Sequence, residues 1–299
     1  MRVAYLIDRD SVGGGMEYIR RQIAAHPDDD CRVFFSDRGE CMSRRLDEWG
    51  AEEIVVNHLK ALLQLLGNPL RRPKGRVTFV VHGIHLRKYD WMIREGRGFA
   101  VIVLRVKRFL RQCLERWLYH RCERIVALTP TDRDDILRLY GRDLKVVVEP
   151  NTLDGWAAAT LADSLPAGIE GPFKYLCIGR FDYQKGQDRW IREIGNREQG
   201  SGNRMDGRTL FIGDGPTLEE CKRLARKLGV EDLCVFAGAI PEADRYLKCA
   251  EVVVSPSRWE GMPYLMMKAR ALECRILATD CPGNRDVLSD YGKWERIEL

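Results

Sequence analysis

Short runs of Val, Ile and Leu, apolar nearly throughout, recur along the whole chain, and they constrain its fold more tightly than any other feature. In the first half they are Val3 to Asp8, Cys31 to Phe35, Glu53 to Val56, Val77 to Val81, Arg124 to Leu128 and Lys145 to Val148. In the second half they are Phe173 to Ile178, Thr209 to Ile212, Cys234 to Ala237, Val252 to Ser255 and Ile276 to Thr279. A strand with one wet face alternates polar and apolar residues, whereas a strand covered on both faces does not. These runs therefore predict parallel strands lying between layers of helix.

Amphipathic stretches fill the intervals. From Val103 to Arg121, the residues Val103, Val106, Leu110, Cys113, Leu114, Trp117 and Leu118 recur at helical spacing, which reads as a core-facing stripe. Thr217 to Leu228 places Leu218, Cys221, Leu224, Ala225 and Leu228 on one face, and a third helix is expected from about Gly261 to Cys274. Strand, helix, strand at such intervals is the βαβ pattern, and it occurs in two blocks. Between them Gly155, Pro166, Gly168, Gly171 and Pro172 punctuate the chain. The expectation is an α/β chain of two Rossmann-like, doubly wound domains facing across a cleft. The first would span 1–154, a linker 155–172, and the second 173–299.

Composition narrows the classes. The 299 residues are 45% hydrophobic and 31% charged, an ordinary globular balance. The net charge of +5 suits an anionic ligand or an anionic surface and equally suits solvated surface charge. Ten cysteines without a CxxC pair argue against a disulfide scaffold. No apolar run approaches the roughly twenty residues of a membrane span. A first strand directly after Arg2 leaves no signal peptide in this sequence, so a cytoplasmic protein is expected.

In doubly wound sheets ligands gather beyond the carboxyl ends of the strands, so the residues there are the functional candidates. After the first strand, Gly13-Gly14-Gly15-Met16-Glu17 offers a flexible turn into a helix. It is neither GxGxxG nor a phosphate loop ending in GK[ST]. His82 ends the fourth strand, open to either a polar role at a site or a structural one. With His85 it lacks a third metal ligand nearby, so no metal site is expected. Gly179 to Gly186 carries two cations, Arg180 and Lys185, suited to a diphosphate whose charge grows as it departs. Gly213-Asp214-Gly215-Pro216 and Ala237-Gly238-Ala239-Ile240 are further strand-end turns of small residues, expected to clear space for a ligand. Glu260-Gly261-Met262-Pro263 combines a carboxylate with the amides of a helix start, Pro263 falling in the first turn. A helix cap is the other reading of Glu260.

These motifs, in this order, resemble retaining glycosyltransferases of family 4, whose fold is the two-domain GT-B arrangement. Gly179-Arg180 with Lys185-Gly186, the Gly213 to Pro216 turn, Phe236-Ala237-Gly238, and Pro256-Ser257 with Glu260 to Pro263 carry the likeness, and Gly14-Gly15-Met16-Glu17 extends it into the first domain. The resemblance implies a nucleoside-diphosphate-sugar donor, of UDP or GDP type, bound mainly by the second domain, with no cofactor or metal besides. It implies that Arg180 and Lys185 contact the diphosphate and Glu260 the transferred sugar, with the amides of Gly261, Met262 and Pro263 nearby. Ile240 would meet the base, His82 the anomeric centre, and Gly14, Gly15 and Gly215 the donor as well. Lys268 stands where the family has a second glutamate for the ribose hydroxyls; a lysine cannot accept those hydrogen bonds. The chain also ends soon after Asn284, where the family usually continues into helices that cross back to the first domain.

The chemistry expected is front-side displacement with retention. The acceptor, expected on the first domain, is a saccharide, a lipid-linked molecule or another small molecule. The basic helix Val103 to Arg121 admits two readings, ordinary helix surface or a face resting on anionic lipid. An inactive relative and a non-hydrolysing sugar-nucleotide epimerase are the alternatives. No interleaving of basic and aromatic residues suggests nucleic acid. The oligomeric state is left open.

Overall fold

The computed structural model describes residues 1–8, 14–36, 41–156, 161–162, 164–166, 168–199 and 206–299. They form two compact units, Met1–Gly155 and Trp156–Leu299.

The first unit runs β1 (Arg2–Asp8), α1 (Gly14–Ala25), β2 (Asp30–Ser36), α2 (Met42–Trp49), β3 (Glu53–Val56), α3 (Leu59–Leu66) and β4 (Arg76–Val81). It continues through α4 (Leu86–Glu95), α5 (Phe99–Tyr119), β5 (Arg124–Ala127), α6 (Pro130–Tyr140) and β6 (Val146–Val148). Its six strands are all parallel, in the order β2-β1-β3-β4-β5-β6. Alternate residues of one strand are buried on opposite faces: Ala4 and Leu6 on one side, Val3, Tyr5 and Ile7 on the other. That double burial is why these runs carry no polar alternation. Local chemistry supports the helices. The Thr129 hydroxyl caps α6 by accepting from the Asp132 amide at 3.1 Å, and Pro130 follows in the first turn, where no amide is missed.

The second unit runs β7 (Tyr175–Ile178), α7 (Gln187–Gln199), β8 (Thr209–Ile212), α8 (Leu218–Leu228), β9 (Cys234–Phe236), β10 (Val252–Ser255), α9 (Tyr264–Ala271), β11 (Arg275–Thr279), α10 (Pro282–Leu288) and β12 (Trp294–Ile297). This sheet is also six-stranded and parallel, in the order β12-β11-β10-β7-β8-β9. Val252 and Val254 pack with Trp190 and Phe211, while Val253, between them, packs with Met266 and Ile276 on the opposite face. Trp190 is fully buried and its indole donates to the Thr209 hydroxyl at 3.1 Å. Burying a side chain of that size contributes roughly 2–3 kcal/mol.

All eleven expected strands are present. A twelfth, β12, lies in Trp-Glu-Arg-Ile, whose two charged residues break the apolar pattern because it is an edge strand. Other expectations are corrected. The helix expected to start at Gly261 begins at Tyr264, and Pro263 is its extended N-cap rather than a first-turn residue. Gly14 and Gly15 are the first residues of α1 rather than part of the turn; Gly13 lies outside the described residues. In the stretch expected to be a linker, Trp156 and Leu161 pack against the Met266 cluster, and Leu165 and Ile169 against Phe173 and Leu176. The largest departure is α5. Val106 and Leu110 are 53% and 60% exposed, and Trp117 is 38% exposed. Of the expected stripe only Leu114 and Leu118 meet the core, and the helix packs against α3, α4 and α6 through a face rotated from it, where Glu115 and Tyr119 are buried beside Leu118.

Candidate functional site

Each sheet has one place where the connections from two neighbouring strands run toward opposite edges of the sheet, and in such sheets ligands gather beyond the strand ends there. In the second unit that place is between β7 and β10. The loop after β7 and the loop after β10 meet there. A Cβ on Gly186 would lie 2.4 Å from the Pro256 carbonyl oxygen, and Gly186 has φ +67°, so only glycine permits this approach. The contact sets Lys185 against Glu260. The Lys185 ammonium donates to Glu260 Oε1 at 2.7 Å, and the Ser257 hydroxyl donates to the same oxygen at 2.6 Å. Gln184 Nε2 reaches Oε2 at 3.4 Å. The Glu260 side chain is only 6% exposed, the Lys185 side chain 31%. Desolvation disfavours the lysine's charge, and the attraction of Glu260 more than offsets it, so its pKa is raised. Cys177, Ile178, Lys185, Ser257, Glu260 and Met266 line a pocket at this point.

Arg180 does not join that contact. Its side chain is 68% exposed, with Nε 3.8 Å from an oxygen of Asp182. Arg258 is a residue that the sequence reading missed. Its guanidinium, 4% exposed, binds both oxygens of Asp188 at 2.8 and 2.9 Å, donates to the Tyr183 carbonyl at 3.0 Å and lies 4.1 Å from the Tyr183 ring centroid. It ties the Lys185 loop to the Glu260 loop and to the start of α7. Burial opposes the charge of Asp188, but the Arg258 fork prevails and holds its carboxyl below the usual range. Arg258 stands between Ser257 and Glu260, so its place beside a strand-end carboxylate was the available signal.

The glycine turns have a different role from the one expected. A Cβ on Gly213 would lie 2.0 Å from the Gly179 oxygen, and one on Gly215 would lie 2.3 Å from the Phe181 oxygen. The Gly213 amide also donates to Gly238 O at 2.8 Å. These glycines let neighbouring loops touch backbone to backbone instead of clearing space. Gly261 is likewise met by Gly283, where a Cβ would come within 2.1 Å of the Gly261 oxygen. Met262 packs on the Met266 cluster and Ile240 on the Phe173 cluster, both half-buried. Lys268 is buried, donates to Asp244 at 2.9 Å and lies 5.8 Å from the centroid of the Trp156 ring.

The parting point in the first unit lies between β1 and β3. Asp8 ends β1, and Asn57 and His58 follow β3 directly. His58 Nδ1 is 3.7 Å from Asp8 Oδ2, and Ser36 donates to the other oxygen of Asp8 at 2.7 Å. His82 hydrogen-bonds Asn57 Oδ1 through Nε2 at 3.1 Å, and its ring stands edge-on to Tyr18 and His58. Desolvation, with His58 and His85 nearby, lowers the His82 pKa to about 3, so the ring is neutral at ordinary pH. A Cβ on Gly15 would be 3.2 Å from His58 Nε2, which brings Gly15 to this cluster. Asn57 and His58 were missed in the sequence although they sit at a strand end like the others. Among the described residues no group of three or more His, Cys, Asp or Glu side chains could hold a metal ion.

Residues 172–294 match the family Glycosyl transferases group 1. The Lys185–Glu260 contact therefore belongs to the group 1 segment. Among curated relatives, the chain is 28% identical over 197 residues to a D-inositol 3-phosphate glycosyltransferase of Kineococcus radiotolerans, covering 60% of this chain and 44% of that one. It is 24% identical over 255 residues to the UDP-Gal:alpha-D-GlcNAc-diphosphoundecaprenol alpha-1,3-galactosyltransferase of Escherichia coli, covering 83% and 62%. The chain thus spans less than two thirds of the length of these relatives. Among solved structures it resembles the sucrose-phosphate synthase of Thermosynechococcus elongatus, with TM-score 0.70 and 16% identity over 94% of this chain and 82% of that one. It also resembles WaaG, a glycosyltransferase involved in lipopolysaccharide biosynthesis, with TM-score 0.69 and 15% identity over 99% and 85%. Two parallel six-stranded units that match these structures are the GT-B fold.

Proposed function

We propose that the protein is a retaining glycosyltransferase of family 4 that moves a sugar from a UDP- or GDP-sugar to an acceptor hydroxyl. The observation that carries this reading is the Lys185–Glu260 pair at the parting point of the group 1 segment's sheet. A carboxylate that is 6% exposed and held by Ser257 and Lys185 is fixed in position to accept from sugar hydroxyls. Beside it, Lys185 offers positive charge to a diphosphate.

In the reaction, the bond from the anomeric carbon to the phosphate oxygen breaks as a bond to the acceptor oxygen forms on the same face. The acceptor's proton passes to the departing diphosphate. Lys185, joined by the exposed Arg180 once the donor is bound, meets the charge that develops on the leaving oxygens. The donor needs no metal in this reading. The acceptor, a saccharide or a lipid-linked molecule, falls to the first unit, where Asp8, His58 and the neutral His82 gather beside Gly15.

The test is a panel of nucleotide sugars assayed by calorimetry and by slow hydrolysis of the donor, which requires no acceptor. One donor should bind and release its nucleoside diphosphate, and Lys185→Ala should slow that release by roughly 10²–10³-fold. Binding of no donor in the panel, or an altered free nucleotide sugar in place of released nucleoside diphosphate, would remove the reading.

A further inference from the structure

Six of the eleven exposed large hydrophobic side chains among the described residues lie on α5 alone, and none lies in the second unit. They are Phe99 at 77%, Ile102 at 57%, Val106 at 53%, Phe109 at 64%, Leu110 at 60% and Trp117 at 38%. At about 100° per residue they share one arc of roughly 100° along the helix. It is a continuous ridge rather than scattered exposure. Contiguous apolar surface of this kind marks a contact site.

The charges around the ridge specify the contact. Arg105 and Arg116 flank it on one side and Lys107 on the other, all exposed and without an ion-pair partner among the described residues. Arg97 precedes it, exposed in the same way. Glu115 is the one acidic residue from 97 to 117, and it is 0% exposed, bonded to Arg111 and Tyr140. No helix of the described residues is long and apolar enough to cross a membrane.

We infer that α5 is a docking face for an anionic lipid surface, on which the helix lies in the plane of the headgroups. The ridge enters the acyl boundary, and the flanking cations remain at the phosphate level, where each adds attraction that salt weakens. A second copy of this chain fits poorly, because two such ridges would bring together the like charges of Arg105, Lys107 and Arg116, and α5 carries no exposed acidic residue to offset them. The inference rests on α5 and is independent of the transferase reading.

The experiment is vesicle sedimentation of the whole chain, without donor, on phosphatidylcholine with and without phosphatidylglycerol, at low and high salt. Partitioning should rise at least about tenfold with phosphatidylglycerol and fall again with salt. Replacing Arg105, Lys107 and Arg116 together by Ser should abolish that rise. Phe109→Ser with Leu110→Ser should weaken binding at both salt concentrations. All of these side chains are at the surface, so unchanged unfolding transitions would show that the variants are folded. Equal binding to both vesicle types overturns the inference. So does a wild-type dimer that the Phe109 and Leu110 variant dissociates without any binding to vesicles.

Discussion

Lys185 and Glu260 are separated by 75 residues of sequence and meet at 2.7 Å. The contact depends on the strand order, which places β7 beside β10. It also depends on Gly186, which lets the two loops touch.

Lys185→Met leaves a nearly buried carboxylate without its cation. The expected loss of stability is about 2 kcal/mol, below the figure for a fully enclosed pair because the lysine keeps contact with water. The lysine pKa is raised on folding, so the pair's contribution is fully present below the ordinary value of 10.5 and is lost as pH rises through the higher folded value. Urea unfolding of both proteins at several pH values should give a constant difference from pH 7 to 9 that shrinks above pH 10.5.

Arg258→Lys keeps the charge but loses the fork on Asp188, and a destabilisation of roughly 2–4 kcal/mol is expected. The Asp188 pKa is lowered on folding. Its contribution is therefore present above the ordinary 3.8 and lost as pH falls through the lower folded value. The advantage of wild type over Asp188→Asn should be level at neutral pH and disappear only in strong acid, as followed by circular dichroism.

Gly186 and Gly229 share a φ of +67°, but only Gly186 faces backbone at its missing Cβ. Gly229→Ala should cost about 1 kcal/mol from conformation alone. Gly186→Ala should cost at least about 3 kcal/mol, because the Pro256 loop must move. It should also weaken donor binding, which Gly229→Ala should leave intact. Thermal unfolding and calorimetry read the two effects separately.

Lys268→Glu introduces the residue type that the family resemblance implies there, but places it beside the Asp244 carboxylate. A loss of roughly 2–3 kcal/mol is expected from the repulsion and the missing bond. Combining it with Asp244→Ala should recover most of that loss. Equal unfolding midpoints for the single and double variants would contradict this account.

His82 is neutral in the folded chain down to about pH 3 but takes up a proton near 6.5 when unfolded. The unfolded state thus binds more protons between those values, and stability falls with falling pH across that window, by at most about 1.4 kcal/mol per pH unit. His82→Gln should flatten this slope in acid denaturation, and His82 should give no titration step in activity between pH 5 and 8.

The strands were legible because double burial writes an apolar run into the sequence, as the opposite-facing Val252 and Val253 show. β12 was not, since an edge strand such as Trp-Glu-Arg-Ile has only part of its surface covered. The strand-end rule reached Lys185 and Glu260, but it could not foresee that Arg180 stays in solvent while Lys185 turns inward, because that choice is made by the facing loop. It could have reached Asn57 and His58. Helical spacing correctly grouped Val106, Leu110 and Trp117 on one face of α5, but periodicity does not say whether a face meets core or solvent.

The bare backbone contacts among Gly179, Gly213, Gly215 and Phe181 restrict how such a protein can diversify. Along that stretch the rim is made of peptide groups whose identity no codon changes, and adding even a methyl group at Gly213 or Gly215 forces the loops apart. Under the proposed function, new selectivity has to arise at rim positions with a side chain to exchange, around a floor that stays the same.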